Sequence, residues 1–459
     1  MQKEPGVQVT ALIVIACLFG GGGVAYGLAN LVVQLAAIFL LALNGNAVWQ
    51  VFRRSPSLLA VPLFASLALP LLQLVPLPLS VWTALPGREL MTEALAAVGP
   101  QGWRPATVST SRTFVAFLGL IAPFTVIVVG LAARKSAIDL ATQAFIAVGV
   151  VGVLLGAAQV LGGNGTAMLY PETTAPGVMT GFFANRNSTA LFMVCCLLLL
   201  GGRPVGKPLS ARWIASFSAA LLLTVGVVLT QSRTGLVLLA LPLGLALLKT
   251  VAGLADRRRG TAGGSAGRGM LVAGLAVATV LVGTAAVSAA LPHSRLDTVL
   301  ARFDKSGEQR PAIWEDARYS AQRFWPVGAG MGTFDEVFQV DESLENITPR
   351  RAGRAHNDYL EIAIEAGAAG FVLIGLWALW ILWATWSAIG SAVGPDQRWR
   401  ALAGTGILMA IALQSLLDYP LRNQTMLCLA AFAIVLLASA RRADAEEQAP
   451  SGDRKEHKA

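Results

Sequence analysis

The chain has 459 residues, of which 55% are hydrophobic and only 13% are charged, and its net charge is +9 at pH 7. A mean hydropathy of +0.63 and repeated apolar runs of about 20 residues, each long enough to cross a hydrocarbon core, exclude an ordinary soluble domain. This composition predicts an all-α protein with many membrane spans. Most of the positive charge is then an orientation signal, so it is no argument for nucleic acid binding.

About twelve membrane spans can be drawn along the chain. The first run, "VQVTALIVIACLFGGGGVAYGLA", resembles a signal peptide, but it is long, has few charges before it and lacks a clear A-x-A site, so we expect a retained span. Lys and Arg in alternate connections, for example Arg53, Arg134 and Arg441, mark the cytoplasmic side and place both termini there. The predicted spans are approximately 8–27, 29–50, 57–79, 113–133, 138–162, 187–202, 213–231, 235–252, 270–291, 366–389, 401–417 and 424–440.

Two segments outside these spans have the composition of flexible chain. "RRRGTAGGSAGRG" is predicted to be a flexible cytoplasmic linker, and the C-terminal "RRADAEEQAPSGDRKEHKA", which contains His457, a disordered cytoplasmic tail. The cysteines lie in apolar runs without the spacing of a metal site, so neither disulfides nor zinc are predicted. They are Cys17, Cys195, Cys196 and Cys428.

A long connection at 292–365 is predicted on the opposite, non-cytoplasmic side. Within it, "RPAIWEDARYSAQRFW" has apolar residues at helical spacing and ends before Pro326, which indicates a helix on the membrane surface. The following "GAGMGTF" could present backbone N–H groups to an anion, but it lacks the phosphate-loop pattern, so a plain turn is the favoured interpretation.

His356 lies where this loop meets the next apolar run. If 356–367 were helical, His356 would share a face with Leu360 and Ala363, while Asp358, Glu361 and Glu365 would lie on other faces. A histidine at headgroup level could act as a general base towards a lipid-linked substrate, or it could only pack or cap the loop. Metal binding is less attractive because no second histidine or cysteine stands at ligand spacing.

Arginines concentrate on the same side of the predicted membrane. Each could merely anchor to lipid phosphate, but several converging on one face favour a diphosphate, because guanidinium groups bind phosphate oxygens in pairs. They are Arg186 in "FFANRNSTALF", Arg233 in "QSRTG", Arg422 in "LLDYPLRNQT", and Arg310, Arg350, Arg351 and Arg354 in the long loop.

Taken in order, these motifs resemble the O-antigen ligase and polymerase superfamily of bacterial membrane glycosyltransferases. The resemblance covers roughly residues 180–425, and its most specific elements are H-N-x-Y-L-x-x-x-x-E-x-G from His356 and the S-R-T-G turn from Ser232. It implies N-terminal transmembrane helices over 1–180, a ligase-related domain over 181–440 with periplasmic loop 292–365, and a tail over 441–459. The implied architecture is a bundle like those of GT-C glycosyltransferases in the bacterial inner membrane, with a periplasmic active site.

The resemblance also implies the chemistry. A preassembled glycan would pass from undecaprenyl diphosphate to an acceptor hydroxyl, with inversion and without cofactor or metal. His356 matches the histidine proposed to activate the acceptor, and Arg233 the arginine proposed to hold the diphosphate. Arg186, Arg310 and Arg354 fall in matching motifs as further diphosphate ligands. The supporting residues are Asn357, Tyr359, Glu365, Asp418 and Arg422.

Several alternatives stay open from the sequence. The acceptor could be lipid A-core, a growing glycan or a protein hydroxyl, so a ligase is favoured only narrowly over a polymerase. A two-carboxylate glycosidase-like mechanism is conceivable because Asp358, Glu361 and Glu365 are close in sequence. A transporter or flippase is the main interpretation from another class, although the predicted spans hold almost no ionisable residues.

Overall fold

The structure is a computed structural model that describes residues 5–23, 25–54, 57–99, 102–162, 167–170, 178–258, 310–347, 352–390 and 394–448. Several predictions lie outside these residues. They are the span at 270–291, most of the linker after 258, the loop before 310, Arg350, Arg351 and the tail with His457.

The described part of the chain is almost entirely helical. In its first half the helices are α1 (Pro5–Phe19), α2 (Gly27–Leu43), α3 (Gly45–Arg54), α4 (Ser57–Gln73), α5 (Leu79–Trp82), α6 (Glu89–Val98), α7 (Thr110–Ala132) and α8 (Lys135–Leu161), and a 3-10 turn (Gly20–Gly22) follows α1. Two short strands, β1 (Pro76–Leu77) and β2 (Arg104–Pro105), pair antiparallel between α4 and α7.

The second half carries the motifs of the candidate site. Its helices are α9 (Arg186–Gly201), α10 (Ala211–Leu229), α11 (Arg233–Leu238), α12 (Ala240–Arg258), α13 (Arg310–Phe324), α14 (Phe334–Asp341), α15 (Asp358–Gly390), α16 (Pro395–Gln414) and α17 (Gln424–Gln448), with 3-10 turns at Leu344–Asn346 and Pro420–Arg422. The prediction of an all-α protein is therefore confirmed for the described residues.

Membrane-spanning capacity is clear for part of this set. Five helices are long and apolar enough to cross a membrane, and a sixth span is possible if α2 and α3, which meet at 79°, form one broken span. Each predicted span that falls on described residues coincides with one or two helices, but several of these helices are short. The number twelve, the GT-C-like arrangement and the periplasmic assignment of the loop stay predictions.

The apolar core of the bundle centres on α9, in which every residue from Ser188 to Leu199 is buried. Small residues let neighbouring helices approach closely, as expected where packing rather than the hydrophobic effect holds helices together. At Gly404 of α16, for example, a Cβ would lie 2.8 Å from the carbonyl oxygen of Ala433 on α17.

A second apolar cluster lies apart from this core, in the long loop. Buried Phe324 of α13 and Phe334 and Phe338 of α14 pack with Ala355 and Ile364. The predicted helix is thus confirmed as α13, while its location on the membrane surface stays a prediction. It belongs to a small packed unit that extends to Ile364 in the first turns of α15.

The connection between α4 and α7 docks onto this unit. Arg88 is fully buried against the rings of Trp82 and Phe324, and its guanidinium donates to the carbonyl oxygens of Ala106 and Gly328. Burial, with a smaller contribution from Arg323, lowers the pKa of Arg88 to about 10. The connection between α4 and α7 therefore packs against the loop unit and helps to hold it in place.

The "GAGMGTF" segment is a packed turn. Gly330 has φ +116°, and a Cβ there would overlap the Thr107 hydroxyl. The amides of Ala329, Gly330 and Met331 donate to the carbonyls of residues 364 and 365 and to the Gln73 side chain at 2.8–2.9 Å. Since these amides already have protein acceptors, the turn interpretation is supported over the anion loop.

Candidate active site

His356 lies in a bend immediately before α15. Its φ of +52° is left-handed, and the helix begins at Asp358, where the Asn357 side chain accepts from the amide of Leu360 at 3.1 Å. The assumption that 356–367 is one helix is therefore wrong, because Asn357 caps a helix that starts after the histidine. Helix periodicity does not determine the direction of the imidazole.

A buried carboxylate faces the histidine instead. Asp418, in the connection between α16 and α17, is 1% exposed, and its Oδ1 lies 3.4 Å from Nδ1 of His356. The Tyr419 ring lies beside the imidazole, with 5.0 Å between ring centroids. Contacts of this length are common in a site without substrate and shorten when it binds. With Nδ1 turned to Asp418, Nε2 is the nitrogen that can take a proton from a substrate.

Asp418 is held by amides from the "ANRN" motif. The side-chain amides of Asn185 and Asn187 donate to its carboxylate at 3.0 Å and 2.7 Å, and the amide of Tyr419 donates at 3.0 Å. Burial raises the pKa of Asp418, but His356 and Asn187 lower it more, so the pKa falls below its usual value. The carboxylate is therefore ionised around neutral pH.

The S-R-T-G turn joins the same network. The Ser232 hydroxyl donates to the Asn187 side-chain oxygen at 2.7 Å and caps α11 by accepting from the amide of Gly235. Three motifs that are far apart in sequence thus meet at His356. The polar chain Ser232, Asn187, Asp418 and His356 connects them.

Three of the four predicted diphosphate ligands flank this chain. Arg186 is the first residue of α9 and Arg233 the first residue of α11, and both are half-buried. Arg310 begins α13 and is close enough to Asp418 to contribute to its lowered pKa. Cations at helix N-termini lie next to the backbone N–H groups that favour an anion.

Arg354 and Arg422 have a different environment. Arg422 lies 3.1 Å from Glu361 and 2.8 Å from Glu365, both fully buried, and 3.5 Å from Asp358. Arg354 pairs with Glu361 at 3.1 Å. Burial lowers the pKa of Arg422, but Glu365, Glu361 and Asp358 raise it well above its ordinary value. Arg354, predicted to hold the diphosphate, is thus joined to a carboxylate cluster.

This cluster also bears on the glycosidase alternative. Asp358, Glu361 and Glu365 share one face of α15, and that face is turned inward to Arg422. The Ser415 hydroxyl and the amide of Leu421 further donate to Asp358. Two opposed carboxylates flanking a substrate would need access to it, whereas these are buried and paired. Their arrangement therefore does not favour glycosidase-like chemistry.

An open groove of about 540 Å³ runs between α13 and α15. Trp314 is fixed by its indole N–H, which donates to the carbonyl of Ala355 at 2.8 Å, one residue before His356. Tyr359 donates to the carbonyl of Ala412 at 3.0 Å. The groove residues are Pro311, Trp314, Glu315, Arg318, Asn357, Tyr359, Leu360, Ala363 and Phe371. Its position next to His356 and its apolar wall suit part of an amphiphilic substrate.

Within the residues that the structure describes, no group of three or more His, Cys, Asp or Glu side chains could hold a metal ion. Residues 218–375 match the family model described as O-antigen ligase. This match confirms the resemblance to the O-antigen ligase superfamily over about a third of the chain, including Arg233, Arg310, Arg354 and His356. No match is found among curated proteins.

The match and the apolar helices together indicate a bacterial membrane protein with activity of the O-antigen ligase or polymerase type. Arg186 and Asp418 lie outside the matched segment, yet hydrogen bonds tie their surroundings to it. Asn185, Asn187 and Ser232 lie in the motifs that the sequence shows, but the sequence predicts no role for these side chains. Polar residues on both sides of Arg186 were the available signal.

Proposed function

We propose that this protein transfers a preassembled glycan from undecaprenyl diphosphate to an acceptor hydroxyl on the periplasmic face of the inner membrane. The observation that carries the proposal is the pairing of His356 with the buried carboxylate of Asp418, 3.4 Å away, beside half-buried arginines in the loop and at two helix starts. We favour a ligase with lipid A-core as acceptor. A polymerase would use the same donor site.

His356 acts as the general base in this mechanism. The acceptor oxygen attacks the anomeric carbon while its proton passes to Nε2, and the bond from that carbon to the diphosphate oxygen breaks with its electron pair. Asp418 orients the ring through Nδ1 and stabilises the imidazolium that forms. The proton afterwards leaves to solvent. A single displacement inverts the anomeric configuration.

Arg233, Arg186 and Arg310 hold the lipid diphosphate as it leaves. Their guanidinium groups offset the charge that develops on its oxygens, so neither a nucleotide sugar nor a metal is required for this step. Arg354 contributes indirectly, since it pairs with Glu361 and helps fix the segment that carries His356.

The test is a gel of cell-envelope glycans from a strain that lacks the gene. The strain is complemented with the intact protein, His356→Ala or His457→Ala, all at matched membrane levels. The last variant is the control, because His457 lies in the predicted cytoplasmic tail. Long glycan stranded on the lipid carrier indicates a ligase, and single repeat units indicate a polymerase. Full rescue by His356→Ala would contradict the proposal.

A second readout separates transfer from transport. In spheroplasts of the His356→Ala strain, the accumulated lipid-linked glycan should be accessible to a membrane-impermeant lectin, because it has already crossed the membrane. Glycan confined to the cytoplasmic leaflet would instead support a flippase.

A further inference from the structure

The polar chain behind His356 is longer than general-base catalysis requires. The proposed transfer needs only the contact between His356 and Asp418. Asp418 nevertheless accepts a hydrogen bond from Asn187 at 2.7 Å, and Asn187 accepts one from Ser232 at 2.7 Å. Ser232 and Asn187 are 45 positions apart, and Asn187 and Asp418 are 231 positions apart. The mechanism above assigns nothing to either of these two bonds.

The direction of each hydrogen bond in this chain is fixed. Ionised Asp418 can only accept, so the NH₂ group of Asn187 faces it and the Asn187 oxygen faces Ser232, whose hydroxyl donates to that oxygen. The Ser232 oxygen also accepts from the amide of Gly235 at 3.2 Å and lies 3.1 Å from the Thr234 hydroxyl. The bond from Ser232 holds the Asn187 amide in this orientation. Without Ser232, the oxygen and nitrogen of the amide could exchange places.

The charge on Asp418 explains why this orientation is useful. A buried carboxylate must be neutralised, protonated or supplied with donors. Asn185, Asn187 and Tyr419 supply N–H groups to it. Without these donors, the negative charge of Asp418 would act more strongly on the imidazole and favour the imidazolium, which has protons on both nitrogens and cannot act as a base.

We propose that Asn187 is a positioning residue that shares the charge of Asp418, so that this carboxylate orients His356 while the imidazole stays neutral and able to accept a proton. Ser232 locks Asn187 in the required orientation. The proposal rests on the proposed function, since it takes His356 as the base. Asn187 acts through Asp418, to which it donates at 2.7 Å.

The chain also begins at the predicted diphosphate ligands. Ser232 directly precedes Arg233, and Asn187 directly follows Arg186. Asn187 and Ser232 therefore lie at the same two helix starts as Arg186 and Arg233, the arginines predicted to hold the diphosphate. If the turn that carries Ser232 and Arg233 were displaced, the Asn187 amide would lose its partner. The charge of Asp418 would then favour protonation of His356.

Other charged or titratable groups near His356 come from four elements. The connection from α16 to α17 supplies Asp418 and Tyr419, the histidine's own segment supplies Arg354, and α13 supplies Arg310. On the following helix, Asp358, Glu361 and Glu365 are paired with Arg422. Substitution of the neutral Asn187 or Ser232 changes none of these charges, and among these groups Asp418 is the one whose hydrogen bond to Asn187 is removed.

The experiment measures the protonation of His356 directly in the purified full-length protein. Diethyl pyrocarbonate modifies neutral imidazole, so the rate of His356 modification against pH, followed by mass spectrometry, gives the midpoint of protonation without any substrate. The variants are Asn187→Leu, which removes the amide at similar size, and the milder Ser232→Ala. Thr189→Val is the matched control, because it removes a buried 2.7 Å hydrogen bond to Thr180 from the same helix.

We expect the midpoint to rise by about one pH unit in Asn187→Leu, by less in Ser232→Ala, and not at all in Thr189→Val. In cells, the Asn187→Leu variant should lose transfer by at most about tenfold at pH 7 and recover part of it at higher pH. The double variant should show less than the sum of the two shifts, because both changes break one chain.

An unchanged or lower midpoint in both single variants would overturn the proposal, as would an equal rise in Thr189→Val. These outcomes differ from failure of the proposed function, which is decided by His356→Ala. If His356→Ala is inactive and Asn187→Leu leaves the pH midpoint of His356 modification unchanged, the proposed role of Asn187 is wrong while the proposed function stands.

Discussion

Replacing Asp418 with asparagine tests the candidate site most sharply, because it removes one charge and almost no volume. The carboxylate lies 3.4 Å from Nδ1 of His356. At an effective dielectric constant of about 20, unit charges at that distance attract by about 5 kcal/mol. His356 is 34% exposed and three donors share the carboxylate charge, so most of this attraction is screened. We therefore expect Asp418→Asn to shift the pH midpoint of His356 modification by about one to two units, each of which corresponds to about 1.4 kcal/mol.

The expected sign follows from the lost attraction. Asp418→Asn should lower the pH midpoint of His356 modification, opposite to the rise expected for Asn187→Leu, because it removes the charge that favours imidazolium. Transfer should fall by about 10²-fold or more, since the ring loses its orienting partner. The assays are pH-dependent modification by diethyl pyrocarbonate and the envelope-glycan gel.

Asp316→Asn is the matched control for this experiment. Asp316 is also a buried carboxylate and accepts hydrogen bonds from Ser343 and Asn346, but it lies within the loop unit rather than against His356. It should leave the midpoint in place. An unchanged midpoint and unchanged transfer in Asp418→Asn would refute the assignment of Asp418 as the partner of His356.

Three further predictions concern the surroundings of the site. Arg422→Met should destabilise the protein by about 3–5 kcal/mol, because it leaves Glu361 buried with one cation fewer, and an unchanged thermal midpoint in detergent would argue against this. Gly330→Ala should lower the thermal midpoint and increase proteolysis of the loop, since a Cβ would overlap Thr107 at φ +116°, whereas resistance equal to wild type would show that the turn can shift. Ala363→Phe should fill the groove and reduce glycan transfer while His356 modification stays unchanged, and full transfer would exclude the groove from substrate binding.

The sequence predicted what depends on local pattern. Apolar runs located the helices, and the stripe in "RPAIWEDARYSAQRFW" located α13, because both signals are periodic within one segment. Motif order then brought His356, Arg233 and Asp418 into one hypothesis before any contact was known. The structure places these residues on three separate segments joined by Asn187.

What the sequence could not give depends on single backbone angles and on distant partners. The left-handed φ of His356 starts α15 two residues later than helical spacing suggests. That offset is decisive, because the direction of the imidazole then follows from the bend and Asp418 rather than from a helix face. The pairing of Arg422 with Glu361 and Glu365 likewise joins two connections that lie far apart in sequence.

The E-x-G end of the histidine motif has a mechanical role that explains its spacing from His356. The Glu365 carbonyl accepts from Gln73 and from the amide of Gly330, and its carboxylate lies 2.8 Å from Arg422. Two residues later, Gly367 has φ +53°, and the chain bends there against Pro326. One short stretch is thus tied to α4, to the glycine turn and to the connection that carries Asp418.

The joint formed by Glu365 and Gly367 lies between the polar first turns of α15 and its apolar part. It therefore fixes the point at which the polar turns end and the apolar part, part of a helix long enough to cross a membrane, begins. Under the proposed function, this joint would hold His356, just before the helix, at the level of the donor's diphosphate. In the proposed mechanism, Glu365 and Gly367 therefore position this segment, and His356 acts as the base.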